Sequence, residues 1–244
     1  MITLFNILNL ISIKLFVQKV INCYRVAKTH SSDFFCPICN KKVIGYFGFY
    51  KNNTFLKCSN CESLSRQRLV VYWLLNEYKI YKYKSDLRIL HFAAEKSISC
   101  IFINYLNYST ADLMKKADLK INIENTRLLE NSYDLIIANH VLEHVNDDFA
   151  IKELSRIISK NGVILITVPI IYSWELTYEN NNLQTMSDKE LYYGQTDHLR
   201  LYGRDITKKF IKYGLNCNEF MMDGTNSVKF GIDKGEILFI LSKI

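Results

Sequence analysis

The stretch from Ser132 to Pro169, SYDLIIANHVLEHVNDDFAIKELSRIISKNGVILITVP, limits the possible folds of this chain more than any other. Leu135-Ile136-Ile137-Ala138 is a short apolar run suited to a strand buried on both faces. Asn146-Asp147-Asp148 is suited to capping a helix, and Ile151, Leu154, Ile157 and Ile158 recur after it as a helical stripe. Asn161-Gly162 is expected to stop that helix, and Val163 to Val168 reads as a second buried strand closed by Pro169. Two apolar strands joined by a helix make a right-handed βαβ unit. Sheets built from such units bind ligands beyond the carboxyl ends of their strands.

The residues are more specific than the pattern. YDLIIANHVLEHVND followed by ELSRIISKNGVILITVP resembles the post-motif region of class I S-adenosylmethionine-dependent methyltransferases of the type 11 group. Any α/β crossover would share the apolar pattern; the triplet Leu142-Glu143-His144 between strand and helix carries the likeness. The resemblance implies a Rossmann-like, seven-stranded, mostly parallel sheet with helices on both faces. It also implies S-adenosylmethionine as cofactor and in-line methyl transfer to oxygen or nitrogen.

A chain of 244 residues has room for one large α/β domain and a small appendage. Three segments are expected: residues 1–30 as an apolar helix, 34–68 as a zinc knuckle and 69–244 as the methyltransferase domain. Residues 1–22 lack the uninterrupted ~20 apolar residues of a membrane span, and no positive charge or cleavage pattern marks a signal peptide. Their polar residues drift around the helix, which suits docking on the protein's own body, a homodimer contact or a loose membrane association. A cytoplasmic protein, at most peripheral to a membrane, is expected.

Seven cysteines include two CxxC pairs, Cys36/Cys39 and Cys58/Cys61, with Cys23, Cys100 and Cys217 scattered singly. Eighteen residues separate the pairs, a spacing suited to a zinc ribbon closed by four thiolates. Four thiolates leave zinc no open position, so the expected metal is structural. Lys51-Asn52-Asn53 would turn the hairpin between the pairs. The knuckle followed by Ser63-Leu64-Ser65-Arg66-Gln67-Arg68 and an apolar helix resembles a methyltransferase subgroup found beside glycan- and envelope-biosynthesis genes. Arg66 and Arg68 would bind an acceptor anion or fix the knuckle in place.

Residues 87–93 read as the first strand of the sheet, ending at Ala93. Most class I methyltransferases continue there into a glycine-rich loop, whereas no glycine occurs between Gly48 and Gly162. The HFAAE sequence is similar to the subgroup's own variant of this loop, which implies that Glu95 pairs with the methionine ammonium. By the same resemblance Asp112 would accept the ribose hydroxyls. Asn122, with Asp118 as the alternative, would accept the adenine amine. Asn139 and His140 would lie beside the sulfonium.

Residues 170–196 make a long aromatic excursion in which Tyr172 and Trp174 are candidate acceptor-stacking residues. Asp197-His198-Leu199-Arg200-Leu201-Tyr202-Gly203 resembles the DHxRxYG segment of the subgroup. His198 is the candidate general base, Asp197 its orienter, and Arg200 and Tyr202 acceptor-binding groups. His144 stands as a further catalytic candidate or a structural histidine. The acceptor class this suggests is a small molecule or a glycan- or lipid-linked compound. Residues 1–85 carry 13 Lys/Arg against 3 Asp/Glu, which leaves an RNA methyltransferase as an alternative. The glycine-free loop leaves a non-catalytic binding protein as another.

Overall fold

The computed structural model describes residues 34–43, 46–47, 57–83, 86–183 and 185–244. The apolar segment at residues 1–30 and the turn at Lys51-Asn52-Asn53 lie outside the described residues. The chain divides into two compact units: residues 1–68 with 223–233, and residues 69–222 with 234–244.

In the first unit both CxxC segments fold into the same turn. Phe35–Cys36 pairs antiparallel with Lys41–Lys42, and Tyr46–Phe47 with Lys57–Cys58. The Asn40 amide returns to the Cys36 carbonyl at 2.9 Å and the Glu62 amide to the Cys58 carbonyl at 3.0 Å. Each return requires a left-handed residue, Asn40 at φ 53° and Glu62 at φ 60°. Behind the knuckle, Arg68 is fully buried and donates to the carbonyls of Ser63, Phe230 and Gly231. Its guanidinium thereby ties the second knuckle to the end of the helix Gly224–Phe230. Asp223 caps that helix through the Asn226 amide, and Gly231 ends it at φ 61°.

The second unit is built on one sheet. Its strands are β1 (Ile89–Phe92), β2 (Tyr108–Ala111), β3 (Tyr133–Asn139), β4 (Ile158–Thr167), β5 (Leu215–Phe220) and β6 (Leu238–Lys243). The order across the sheet is β5-β6-β4-β3-β1-β2. The first four strands run parallel, and β5 and β6 form an antiparallel hairpin at one edge. The apolar runs that marked β1, β3 and β4 are the sheet's centre: Leu90, Ile136, Ile164 and Ile166 have no exposed surface. Tertiary burial, rather than local propensity, makes these strands.

The sheet has six strands, not seven. Of residues 117–122 only Leu119 pairs with the sheet, in a single bridge to Ala111. The reason lies one residue away. The Asp118 carboxylate accepts from the Thr110 amide (2.8 Å) and hydroxyl (2.7 Å), taking the edge donor a continuing strand would use.

The helix of the central unit also ends earlier than its stripe suggests. It spans Asp147–Ile157, with Asn146 accepting from the Phe149 amide as N-cap. Ile158 already belongs to β4 and pairs with Tyr133. The ladder then jumps to Leu135–Val163, so Ser159–Gly162 bulge out with Lys160 and Asn161 exposed. Gly162 therefore permits a tight bulge rather than a helix stop: a Cβ there would sit 2.7 Å from Ile158 Cδ1. No described helix is long and apolar enough to cross a membrane.

Charge and burial give the sheet an acid limit. The Arg88 guanidinium holds Asp134 down to about 2, and Arg156 does the same for Glu153. Lys212 and then Tyr213 hold Asp148 down to about 2. His91, fully buried in β1, is pushed down to about 3 by burial. All four have folded values below their unfolded ones, so the unfolded chain binds more protons as pH falls. Stability is expected to fall first below about pH 6.5, where free histidine protonates. It should fall again from the ordinary carboxylate range towards pH 2. Urea midpoints between pH 8 and 3 check this; His91→Gln should shrink the upper part of the decline, to which the depressed His198 also contributes.

Candidate functional site

The strand order reverses around β1, which has β2 on one side and β3 on the other, and such a point opens a crevice at the carboxyl ends. Two non-glycine residues take left-handed conformations there, Ala93 (φ 47°) after β1 and His140 (φ 49°) after β3. Their amides are held by the neighbouring strands, Ala93 to the Ala111 carbonyl (2.8 Å) and His140 to the Thr167 carbonyl (2.8 Å). The sharp exit from β1 that glycines usually make is therefore made here by a strained alanine. Across the same edge Thr167 Oγ1 donates to Asn139 Oδ1 (3.2 Å), and Asn139 Nδ2 donates to Glu95 Oε2 (3.3 Å). Ala93, Glu95, Asn139 and His140, expected around the cofactor's methionine end, thus come together.

Asp112 leaves β2 at the same end. Its Oδ1 accepts from the amides of Met114 and Lys115, both at 2.7 Å, which fixes the carboxylate on the outgoing turn. Asn122 spends its side-chain oxygen on the Glu124 amide (2.9 Å). Asp118, the alternative to Asn122, is tied to Thr110. The acceptor that adenine recognition would need is thus engaged in local structure at both residues.

Beyond β3, Leu142–His144 forms a 3-10 turn that points Glu143 inward, with no exposed surface. Three histidines surround this carboxylate. His140 Nδ1 lies 3.2 Å from Glu143 Oε1, and ligand atoms of Glu143, His144 and His198 lie within 4.8 Å of one another. The His144 and His198 rings meet edge to face at 4.8 Å. Neither Glu143 oxygen, His140 Nε2 nor His198 Nδ1 has a hydrogen-bond partner, although all are buried. Burial holds the His198 imidazole below its ordinary value, against the pull of Glu143. Glu143 was not singled out by sequence as a site residue; an acid between two histidines of an otherwise apolar turn was the available signal.

Asp197 was expected to orient its neighbour His198. Its carboxylate instead pairs with His144 Nδ1 at 3.2 Å, because the exposed Asp197 lies over the 3-10 turn while His198 turns inward. Arg200 and Tyr202 were expected to bind the acceptor, and they are buried structural groups. Arg200 donates to the carbonyls of Leu142 (2.9 Å) and Val145 (2.6 Å) and to Glu179 through Nε (3.0 Å). The Tyr202 hydroxyl meets the Leu142 carbonyl (3.1 Å) and Asp147 Oδ2 (3.0 Å). Together they clamp the turn that carries Glu143 and His144. Gly203 follows because a Cβ there would stand 2.5 Å from the Leu176 backbone. Tyr172 and Trp174 remain exposed on the excursion, while Tyr178, Tyr192 and Tyr193 pack on one another.

In the first unit the sulfurs of Cys36, Cys39, Cys58 and Cys61 lie within 4.8 Å of one another. Cys36 is held well below the ordinary thiol range, chiefly by a hydrogen bond from Cys58 and despite its burial. Four thiols converge, one already disposed to be a thiolate, so the donor set suits a tetrahedral zinc ion.

The sheet is Rossmann-like, and its strand order reverses at the β1/β3 switch point. Residues 88–166, about a third of the chain, match the family model described as a methyltransferase domain. The match takes in β1 to β4 and the Glu143–His144 turn, and the chain carries a methyltransferase domain of this class. No curated protein matches the chain significantly. Among solved structures it is similar to an S-adenosylmethionine-dependent methyltransferase from Mesorhizobium loti (13% identity, 66% of this chain and 93% of that one, TM-score 0.46). A putative sarcosine dimethylglycine methyltransferase from Galdieria sulphuraria is similar at 12% identity over 80% and 91% of the two chains, TM-score 0.45. Phosphoethanolamine N-methyltransferase 2 of Haemonchus contortus, in complex with S-adenosylmethionine, is similar at 15% identity over 64% and 40%, TM-score 0.41.

Proposed function

We propose that the protein transfers a methyl group from S-adenosylmethionine to a small-molecule or glycan- or lipid-linked acceptor, at oxygen or nitrogen. The observation that carries this reading is the buried Glu143 with His140, His144 and His198 around it, on the turn that follows Asn139 at the carboxyl end of β3. Ala93, Glu95, Asn139 and His140 would hold the methionine end of the cofactor, and Asp112 its ribose. Bound there, the cofactor supplies an activated methyl group. The chain's own part is to orient donor and acceptor and to manage the acceptor's proton at the Glu143 cluster. Tyr172 and Trp174 offer exposed rings to an acceptor. The four cysteines hold a structural zinc ion that staples the first unit. A homodimer or membrane role for residues 1–22 belongs to a segment outside the described residues.

Labelled-methyl transfer to fractionated small-molecule, glycan-lipid and RNA pools tests the acceptor class. Label in the small-molecule or glycan-lipid fraction is expected; label confined to RNA would replace this reading with the nucleic-acid one. With an acceptor in hand, His198→Ala should lower turnover by about 10²-fold or more while S-adenosylmethionine binding persists. Unchanged turnover would remove His198 from the mechanism.

A further inference from the structure

We infer that Glu143, His144 and His198 form a second metal site, separate from the four cysteines, for a divalent transition-metal ion of the zinc or iron(II) type. Their ligand atoms already converge to within 4.8 Å of one another. Tetrahedral bonds of about 2.0–2.1 Å would set donor atoms about 3.4 Å apart, so only small side-chain rotations are needed to close on an ion. Two imidazoles and one carboxylate are the donor set that catalytic zinc and non-haem iron use while keeping a position open.

The second observation is electrostatic. Glu143 has no exposed surface and both of its oxygens lack a hydrogen-bond partner. His198 is 4% exposed and its Nδ1 likewise has none. Buried polar groups in folded proteins are almost always satisfied, and a buried carboxylate faced by only the His140 ring, Nδ1 at 3.2 Å from Oε1, is costly to leave so. A cation between these atoms satisfies them together. The surroundings add an orienting shell: Asp197 Oδ2 lies 3.2 Å from His144 Nδ1, and the Asp197 carbonyl 3.3 Å. A proton on Nδ1 held that way leaves Nε2 free to coordinate, the usual arrangement for a metal-bound histidine. His140, partly exposed, lies 3.2 Å from Glu143.

The role of the ion rests on the methyltransferase reading; its binding does not. An acceptor hydroxyl on the open position would lose its proton to water more readily. As the sulfonium C–S bond breaks, the C–O bond forms and S-adenosylhomocysteine leaves. His198 is then a ligand rather than a free base.

Elemental analysis of the full chain purified in zinc-replete medium is the test. Two ions per chain are expected, one of which Glu143→Gln and His198→Ala each remove while the cysteine-held ion stays. Cobalt(II) at the second site should give d–d absorption without thiolate charge-transfer bands. One ion in the wild type, unaffected by either variant, with no second ion taken up from a several-fold excess of zinc, cobalt(II) or iron(II), would overturn the site. The wild-type titration decides this even if a variant fails to fold. Calorimetry with S-adenosylmethionine on the same sample separates the two readings. Cofactor binding with one ion sinks the metal site alone, and two ions without cofactor binding sink the enzyme alone.

Discussion

Asp147→Ala is expected to be among the most damaging single substitutions in the second unit, costing about 3 kcal/mol. The carboxylate is 2% exposed and sits at the first turn of Asp147–Ile157, where a negative charge also favours the helix N-terminus. Lys209 Nζ reaches both of its oxygens at 2.7 Å, the Tyr202 hydroxyl reaches Oδ2 at 3.0 Å, and Arg200 Nε lies 3.8 Å away. Removing it strands buried positive charge around the turn that aims Glu143 and His144. A fall in melting temperature of roughly 6–12 °C follows for a unit of this size. Asp147→Asn keeps the shape and the Tyr202 bond, so it should lose less. A melt within 2 °C of the wild type for Asp147→Ala would show that the clamp does not stabilise the unit.

The second large effect belongs to Arg68→Ala. That residue has no exposed surface and binds the carbonyls of Ser63, Phe230 and Gly231. Its loss takes a donor from the Phe230 and Gly231 carbonyls, while Ser63 keeps the Cys58 amide at 2.9 Å; at about 1–3 kcal/mol for each partner lost, about 3 kcal/mol is expected. Lysine should not rescue it, since an ammonium lacks the planar fork that reaches three carbonyls. Limited proteolysis and zinc retention would report it: Arg68→Ala should expose the knuckle and release metal early. Proteolysis and metal retention equal to wild type would show that the knuckle stands without this anchor.

The sheet was legible where burial wrote it into composition. The apolar runs at 87–93, 135–138 and 163–168 read as strands, and the CxxC spacing suits one shared metal site. Other features were hidden because side chains decided them. Asp118 ends a strand by taking the Thr110 amide, and nothing in ADLKIN announces that. Arg200 and Tyr202 look like site residues in DHLRLYG because charge and hydroxyl are legible but direction is not. Only packing shows that they turn inward to the Leu142 carbonyl. Glu143 was hidden for the opposite reason: a carboxylate in the LEH triplet reads as surface until the 3-10 turn buries it. The missing glycines misled least. Ala93 takes the left-handed turn that a glycine would make more cheaply.

Calorimetric titration of the purified, zinc-replete chain with S-adenosylmethionine and S-adenosylhomocysteine, beside Asp112→Ala, tests the central claim most directly. Micromolar binding of both ligands by the wild type, weakened at least tenfold in Asp112→Ala, is the expected result. A folded chain that binds neither ligand would contradict the methyltransferase account and leave the Ala93–Glu95 loop as a closed cofactor site.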